Sequence, residues 1–329
     1  MDVNENITPE KIRQLAMSFQ QSRILLTAIE LDLFSAIDGH LVTSKDAAEK
    51  IGTDERATDR LMNALAAMGY LRKTKSKFYN TQHSADYLVK GKPGFMAGLN
   101  HSANLWYNWT TLTGAVKKGT CVKENPGGRD EQHWESFIAA MHNRANSQSK
   151  ILNYMLDLSN IKTVLDVGGG SGAFSMGFIR ANPNIIATVF DLPPVIPIAK
   201  RYVAEAGLAD SFNYLQGDYH KDSFVGKYDM VFLSAVVHIN SFEENKALSK
   251  KCVDALNEGG QIIIQDFVMD DDRTKPSTGT IFSLNMLVGT ESGDTYTEKE
   301  ITSWLTDAGI SKCERKDTGF GTTLIIGYK

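Results

Sequence analysis

Three aspartates at or near the ends of short apolar runs, the first beside a glycine turn, are the residues whose spacing indicates chemistry. The turn reads Asp166-Val167-Gly168-Gly169-Gly170-Ser171-Gly172-Ala173. Its glycines allow a sharp backbone turn and let a ligand lie against bare amides. Asp191 ends the run IIATVFD, and Gly217-Asp218-Tyr219 follows the run FNYLQ. This combination predicts a site for a nucleotide-type ligand.

The glycine spacing fits two classes of ligand. Gly168, Gly170 and Ala173 satisfy a relaxed dinucleotide fingerprint, whereas Asp166, Gly168, Gly170 and Gly172 satisfy the D-x-G-x-G-x-G pattern of S-adenosylmethionine sites. Asp191 is placed to accept hydrogen bonds from two ribose hydroxyls in either case. The glycines alone therefore leave both classes open.

The charge of the flanking acids favours one of these ligands. A carboxylate at Asp166 repels a pyrophosphate but attracts the ammonium of a methionine moiety, directly or through water. Asp218 offers a carboxylate to an adenine amino group, and Tyr219 offers an aromatic ring to cover the base. We therefore predict S-adenosyl-L-methionine as the cofactor and no metal ligand set.

The elements that position these residues form an α/β domain. Apolar runs rich in β-branched residues alternate with helical stretches, which is typical of parallel strands buried on both faces. Ligands of such open sheets bind beyond the carboxyl ends of the strands. The runs that predict strands are TVLDVGGG, IIATVFDL, FNYLQGD, YDMVFLSAVV, QIIIQDFVM and TTLIIGYK.

The first third of the chain is predicted to be an all-α winged-helix module with, at most, a short strand pair as its wing. One apolar stripe begins at Ile12 and ends at Leu33, and a second runs from Ala57 to Met68. The segment Asp54 to Met68, which would be a recognition helix, has three acids and two arginines. A net negative helix suits a DNA groove poorly, so packing and dimerisation are the favoured role.

Length and charge agree with a two-domain protein. The chain has 329 residues, and 39 acidic against 35 basic residues give a formal charge of −4. We expect domains at 1–120 and 121–329. Three isolated cysteines, an N-terminus without a leader pattern and the absence of a long apolar run predict a cytoplasmic protein. Nothing in the charge distribution indicates nucleic-acid or membrane partners.

Across nearly its whole length the chain resembles the small-molecule O-methyltransferases of the caffeate and hydroxyindole type. The motifs that carry this resemblance are IELDLFSAI, NTQHSADYL, VLDVGGGSGAFS, VFDLPPVI, LQGDYHKD, LSAVVH and TYTEKEITSWLTDAGI. It implies a class I methyltransferase domain with a mostly parallel seven-stranded sheet, preceded by the winged-helix domain. It also implies a homodimer and a small aromatic or polyketide-like acceptor.

The resemblance also implies roles for particular residues. His238 corresponds to the family's general base, and Asp266 corresponds to the carboxylate that orients it, where the family usually has Glu. Leu192 and Ser234 join the residues expected at the cofactor. Residues that resemble the acceptor lining are Phe137, Met141, Phe282, Asn285 and Met286. Asn285 is expected to hydrogen-bond the acceptor, because a buried amide needs partners.

Two departures from the family pattern leave alternatives open. The family's usual His-Asp-Trp reads His238-Ile239-Asn240 in this chain. The position of the family's second catalytic Glu falls near Thr295, so this carboxylate is missing, and Asp294 or Glu291 could compensate. An acidic hydroxyl or a carbon nucleophile then becomes a plausible acceptor. The other classes considered are an NAD-linked oxidoreductase, a winged-helix regulator and a methyltransferase-like protein with altered chemistry.

Overall fold

The computed structural model describes residues 7–96, 98–122 and 131–329. The chain divides into two compact units, Met1–Trp106 and Tyr107–Lys329. The division precedes the boundary that we expected at residue 120. The first six residues of the N-terminal stretch lie outside the described residues.

The first unit is a mainly helical module with a small sheet. The predicted strand pair is present, since β2 and β3 form an antiparallel hairpin, and β1 adds a third strand beside β3. The order of elements is α1 (Pro9–Met17), α2 (Phe19–Glu30), α3 (Leu33–Ala36), β1 (Val42–Thr43), α4 (Ser44–Ile51), α5 (Glu55–Ala67), β2 (Leu71–Thr74), β3 (Lys77–Asn80) and α6 (Gln82–Tyr87).

Local sequence explains the turn between α4 and α5. Thr43 and Asp46 form a capping box at the start of α4, and Gly52 ends that helix in the left-handed conformation at φ 70°. Asp54 then caps α5 by accepting the amide of Ala57 at 2.8 Å. Leu65 is fully buried. The first apolar stripe, in contrast, is not buried at its start, since Leu15 on α1 is 77% exposed.

The second unit is built on a seven-stranded sheet, which confirms the predicted α/β class. After α7 (Gly98–Trp109), its elements are α8 (Leu112–Lys118), α9 (Glu131–Met155), β4 (Thr163–Val167), α10 (Ala173–Ala181), β5 (Ile186–Asp191), α11 (Ile196–Glu205), β6 (Phe212–Gln216), β7 (Tyr228–Ser234), α12 (Phe242–Asp254), β8 (Leu256–Asp266), β9 (Val268–Met269), α13 (Ser277–Gly289), β10 (Tyr296–Thr297), α14 (Glu298–Asp307), β11 (Lys312–Asp317) and β12 (Thr323–Tyr328).

The strand order is β11-β12-β8-β7-β4-β5-β6. Strands β4 to β8 are parallel, whereas β12 is antiparallel to β8 and β11 is antiparallel to β12. The sequence did not predict β11. Its residues Lys312–Asp317 include five charged and no β-branched side chains, because this edge strand pairs on one side only.

The sheet is buried between two apolar layers that hold its strands in register. One layer contains Trp304 and Val231, and the other contains Phe178 and Phe232. The carboxyl ends of five parallel strands therefore meet at one fixed edge. In the described ranges, no helix is both long enough and apolar enough to cross a bilayer.

Candidate active site

The glycine turn forms a close-fitting cradle between β4 and α10. Gly168, Gly170 and Gly172 have φ values of 66°, 57° and 75°, a region that other residues rarely adopt. A Cβ on Gly168 would lie 2.9 Å from Cγ2 of Val236, and one on Gly169 would lie 2.7 Å from Cγ of Asp166. Side chains at Gly168 and Gly169 would therefore collide with neighbouring residues, so the turn requires a bare backbone.

Asp166 lies beneath this turn, away from solvent. Its carboxylate accepts a hydrogen bond from Oγ of Ser175 at 2.6 Å. Burial raises the pKa of Asp166 to about 7, against the opposing effect of the Ser175 hydroxyl, and the negative charge of Asp191 raises it further. A carboxylate held in this way gains stability when a positive charge arrives beside it.

Asp191 closes the other side of the turn. Its carboxylate accepts the amide N–H of Gly170 at 2.8 Å and that of Leu192 at 2.7 Å. Burial raises the pKa of Asp191 to about 6, and the two amides partly offset that effect. The structure thus brings Asp166, Asp191, Leu192 and the glycines together at one edge of the sheet.

The third strand in the chain order of this sheet, β6, ends directly before Gly217, Asp218 and Tyr219. Gly217 is required sterically, because a Cβ there would lie 2.7 Å from Cζ of Phe190. Burial raises the pKa of Asp218, but the amide of His220 and the ammonium of Lys221 more than offset this and lower it overall. Burial raises the pKa of Tyr219 to about 12, so its hydroxyl stays protonated and donates to Oδ1 of Asn240 at 3.1 Å.

His238 and Asp266 form a buried pair. Nδ1 of His238 lies 2.8 and 3.0 Å from the two carboxylate oxygens of Asp266. His238 belongs to a short 3-10 turn, Val237–Ile239, after β7, and Asp266 ends the neighbouring strand β8. Val236, two residues before His238, contacts the cradle at Gly168. The pair therefore lies close to the glycine turn.

Ser234, also predicted at the cofactor, bonds to a residue that the sequence did not single out. Its Oγ donates to Oε1 of buried Gln265 at 3.0 Å, and the amide of Ala235 donates to the carbonyl of Gln265 at 3.0 Å. Ala235 has a φ of 58°, an uncommon conformation for a residue with a Cβ. This turn redirects the chain from β7 toward His238.

Aromatic side chains line the edge of the imidazole. Phe282 on α13 meets His238 edge to face at a centroid distance of 4.8 Å, and Phe267 lies 4.3 Å from Phe282. Asn285 lies one turn further along α13, where its Oδ1 accepts Nε1–H of Trp109 at 3.0 Å. Trp109 therefore donates the hydrogen bond to Asn285 that we had expected the acceptor to make. Met286, on the same helix, is buried.

Helix α9 approaches the cradle from another side. Phe137 packs near Val195 and Leu192, while Ile138 lies 3.6 Å from the Cβ position of Gly170. Met141, one turn beyond Phe137, is partly buried. The sequence did not single out His142, whose Nδ1 lies 2.9 Å from Oγ of Ser171 and whose ring stacks on Tyr202 at 4.1 Å.

The expected second carboxylate is absent at position 295. Thr295 is buried, and its Oγ1 donates to the carbonyl of Gly279 at 3.5 Å. The neighbouring Asp294 pairs with Arg273 at 3.3 Å. Asp266 is thus the carboxylate that bonds to His238. In the described part of the chain, no group of three or more His, Cys, Asp or Glu side chains could hold a metal ion.

A glycine cradle with buried acids at the carboxyl edge of a seven-stranded sheet defines a class I S-adenosylmethionine-dependent methyltransferase. Comparison with known proteins agrees. Residues 118–311 match the family model of the O-methyltransferase domain, and residues 13–91 match that of the O-methyltransferase dimerisation domain. The chain belongs to this O-methyltransferase family. Membership favours methyl transfer over the oxidoreductase and regulator alternatives.

Two relatives match over almost their full length. The chain is 31% identical to 3-hydroxy-5-methyl-1-naphthoate 3-O-methyltransferase of Streptomyces sahachiroi, over 92% of this chain and 90% of the relative. It is 30% identical to the tetracenomycin polyketide synthesis 8-O-methyl transferase of Streptomyces glaucescens, with 98% and 97% covered. The fold also matches human N-acetylserotonin methyltransferase in complex with SAM, with a TM-score of 0.85, 24% identity and 100% and 99% covered.

Proposed function

We propose that this enzyme methylates a hydroxyl of a small aromatic or polyketide-like metabolite, with His238 as the general base and Asp266 as its orienting acid. The observation that carries the proposal is the buried bond from Nδ1 of His238 to Asp266. A carboxylate only accepts hydrogen bonds, so Nδ1 keeps its proton and Nε2 is the nitrogen that accepts one. Two O-methyltransferases of aromatic metabolites are similar to this chain.

S-adenosylmethionine supplies an electrophilic methyl group on a sulfonium. Asp191 is suited to accept both ribose hydroxyls, Asp166 favours the positive charge of the methionine end, and Asp218 with Tyr219 borders the adenine. Gly168, Gly170, Gly172 and Gly217 let the backbone approach closely, with Leu192 and Ser234 at the rim. The cradle and the raised pKa values of its two buried acids fit such a cation.

The protein's contribution to the reaction is alignment and removal of one proton. Correct alignment of reactants is worth up to roughly 7–11 kcal/mol. A phenol of pKa about 10 costs about 4 kcal/mol to ionise at pH 7, and His238 offsets part of this by taking the proton through Nε2. Asp266 then stabilises the charged imidazole. Phe282 fixes the ring edge-on, and Phe137, Met141, Asn285 and Met286 are proposed to border the acceptor.

A screen of phenolic acceptors with methyl-labelled S-adenosylmethionine tests this proposal. We expect transfer to naphthols and hydroxylated polyketides, and a rate that depends only weakly on the pKa of the acceptor hydroxyl. In His238→Ala the rate is expected to depend steeply on that pKa, because acidic phenols no longer need the base. Equal dependence in both proteins would contradict the assignment of His238.

Transfer to a carbon acceptor is a second candidate, favoured by one observation. Thr295 stands near where the resemblance leads us to expect a carboxylate, so among the described residues Asp266 is the carboxylate that supports the base. An electron-rich aromatic carbon next to an acidic phenol demands less of that base. Proton NMR of the labelled product distinguishes the two, because an O-methyl and a C-methyl group differ in chemical shift.

We also propose a homodimer formed through the first unit. The family model matched at residues 13–91 is a dimerisation domain. Ile12, Leu15 and Met17 on α1 are each more than half exposed in the single chain, which leaves an apolar surface in water. Light scattering should give twice the mass of one chain, and Leu15→Glu should shift the protein toward monomer.

A further inference from the structure

A buried amide, Asn240, lies between the proposed cofactor site and the proposed base. It directly follows the 3-10 turn of His238 and is 1% exposed. Its Oδ1 accepts the hydroxyl of Tyr219 at 3.1 Å, and its Nδ2 donates to Oδ1 of Asn245 at 3.0 Å. Both ends of the side-chain amide therefore have partners on different elements.

These bonds return to the turn that holds His238. Nδ2 of Asn245, on α12, donates to the carbonyl of Val237 at 2.8 Å, and the amide of Asn240 donates to the same carbonyl at 3.4 Å. Val237 directly precedes His238 in the chain. The position of Asn240 is thus fixed relative to the backbone on both sides of the imidazole.

The main chain of Asn240 is also tied to the segment after Asp266. Its carbonyl accepts the hydroxyl of Tyr296 at 2.6 Å. Tyr296 belongs to β10, which pairs with Val268 of β9 two residues beyond Asp266. One residue therefore connects Tyr219, the turn of His238 and the strand that follows the orienting acid.

Only an amide side chain fits these demands at this length. An aspartate carboxylate could accept from Tyr219 but could not donate to Asn245, and an apolar residue would leave the partly buried Tyr219 hydroxyl and the buried Asn245 amide oxygen without this partner. The resemblance leads us to expect an aromatic residue at position 240. Asn at this position instead provides a directional bond to Tyr219.

We propose that Asn240 is a positioning residue that couples the adenine side of the cofactor site to the orientation of His238. This inference rests on the proposed function, since it takes Tyr219 as a cofactor contact and His238 as the base. Movement of Tyr219 on cofactor binding is transmitted through the Asn240 amide to the turn of His238. The imidazole, which Asp266 already orients, is further fixed when the cofactor site is filled.

The experiment combines kinetics with a measurement that needs no acceptor. Tyr219→Phe removes only the hydroxyl of that bond, and Asn240→Ala removes the amide. Matched controls are Tyr228→Phe, whose hydroxyl donates to Val225 at 2.7 Å, and Asn182→Ala, whose amide donates to Leu158 and Ile161. The readouts are kcat, the acceptor KM, the dissociation constant of S-adenosylhomocysteine, and the ¹⁵N resonances of the His238 imidazole during titration with adenosine.

We expect Tyr219→Phe and Asn240→Ala each to lower kcat about tenfold or more, with little change in acceptor KM. The double variant should be no worse than Asn240→Ala alone, because the two changes remove one shared interaction. Adenosine should shift the His238 resonances in the wild type and in both controls, and much less in Tyr219→Phe. If Asn240→Ala does not fold, the conservative Tyr219→Phe decides the question.

Any one of three results would overturn the coupling. The first is a response of His238 to adenosine in Tyr219→Phe that equals that of the wild type. The second is additive losses of kcat in the double variant, and the third is losses of kcat that match those of the control variants. If the wild type methylates no acceptor at all, the proposed function fails, yet the imidazole titration still decides whether Asn240 links the two sides.

Discussion

Nδ1 of His238 lies within hydrogen-bond distance of both carboxylate oxygens of Asp266, at 2.8 and 3.0 Å. The backbone amide of His238 lies 3.4 Å from the same carboxylate. Asp266 thus holds both the ring and the backbone of the base. Since both side chains are buried, water is a poor substitute for either partner.

Asp266→Asn should therefore disable the base while leaving the imidazole in the site. An amide nitrogen placed at Nδ1 donates a hydrogen bond and favours the tautomer that carries its proton on Nε2, which is then unable to accept one. We expect kcat to fall by roughly 10²–10⁴-fold, similar to His238→Ala, with little change in S-adenosylhomocysteine affinity. Steady-state kinetics and calorimetry measure both quantities.

Asp229→Asn is the matched control for this change. Asp229 lies near the start of β7, at the opposite edge of the sheet, where it accepts the amides of Lys162 and Thr163 at 3.0 Å. This variant should lose stability and keep its kcat. A kcat for Asp266→Asn as high as that of the control would remove Asp266 from the mechanism.

The sequence predicted the parts of this site that depend on local pattern. Glycines that need a positive φ, such as Gly168, and acids at strand ends, such as Asp191, are determined by backbone geometry that leaves a trace in residue type. The six apolar strands were predicted for the same reason. The edge strand β11 was missed because it is charged and pairs on one side only.

The polar contacts between distant segments could not be predicted. Tyr219 and Asn240 are 21 residues apart, and His142 meets Ser171 across 29 residues, so neither pairing leaves a periodic signal. Asn285 illustrates the same limit. The sequence showed that its amide needs a partner, but only the fold shows that Trp109 supplies one from 176 residues away.

Asp166→Asn should stabilise the free protein above pH 7. Burial raises the pKa of Asp166 from 3.8 to about 7, so the folded state binds this proton more tightly than the unfolded chain. The tighter proton binding stabilises the folded state at low pH, and this stabilisation is lost as the pH rises through 7. The loss lowers the free energy of unfolding by up to about 4 kcal/mol. The unpaired amide of Asn costs part of what removing the buried charge gains. We therefore expect the free energy of unfolding of Asp166→Asn to exceed that of the wild type by about 1–3 kcal/mol.

The gain should be small near pH 4, where the carboxyl is protonated in the folded protein and about half protonated in the unfolded chain. Denaturant unfolding at pH 8 and pH 4 measures it. Asp229→Asn is expected to act in the opposite direction, because hydrogen bonds from Asn257, Lys162 and Thr163 outweigh burial and lower the pKa of Asp229. Destabilisation by Asp166→Asn at pH 8 would mean that the buried charge is better compensated than its surroundings indicate.

Cofactor affinity should fall as the pH is lowered through 7 and then 6. Asp166 and Asp191 have pKa values of about 7 and 6 in the free protein, and both must be ionised to hold a cation and two hydroxyls. Protonation therefore competes with binding. From pH 8 to pH 5 the dissociation constant of S-adenosylmethionine should rise at least about tenfold for each acid.

Calorimetry in buffers of different ionisation enthalpy tests this pH dependence, because it also counts the protons released on binding. In Asp166→Asn, weaker overall binding should be accompanied by loss of the step near pH 7, leaving the one near pH 6. An affinity independent of pH between 5 and 8 would show that neither acid contacts the cofactor's charge or hydroxyls.

Gly293→Ala should displace the base while leaving the cofactor cradle in place. A Cβ at position 293 would clash with the carbonyl oxygen of His238 and lie 2.9 Å from that of Ile239. The backbone of Gly293 needs no positive φ, so the effect of alanine is steric. Because displacement by about 1 Å can cost roughly 10²-fold in rate, we expect kcat to fall ten- to a hundredfold.

Gly289→Ala is the control, since the nearest neighbour of its added Cβ would be Nδ2 of Asn108 at 3.8 Å. S-adenosylhomocysteine affinity should change far less than kcat in Gly293→Ala, and equal activity of the two alanine variants would show that the turn of His238 tolerates displacement.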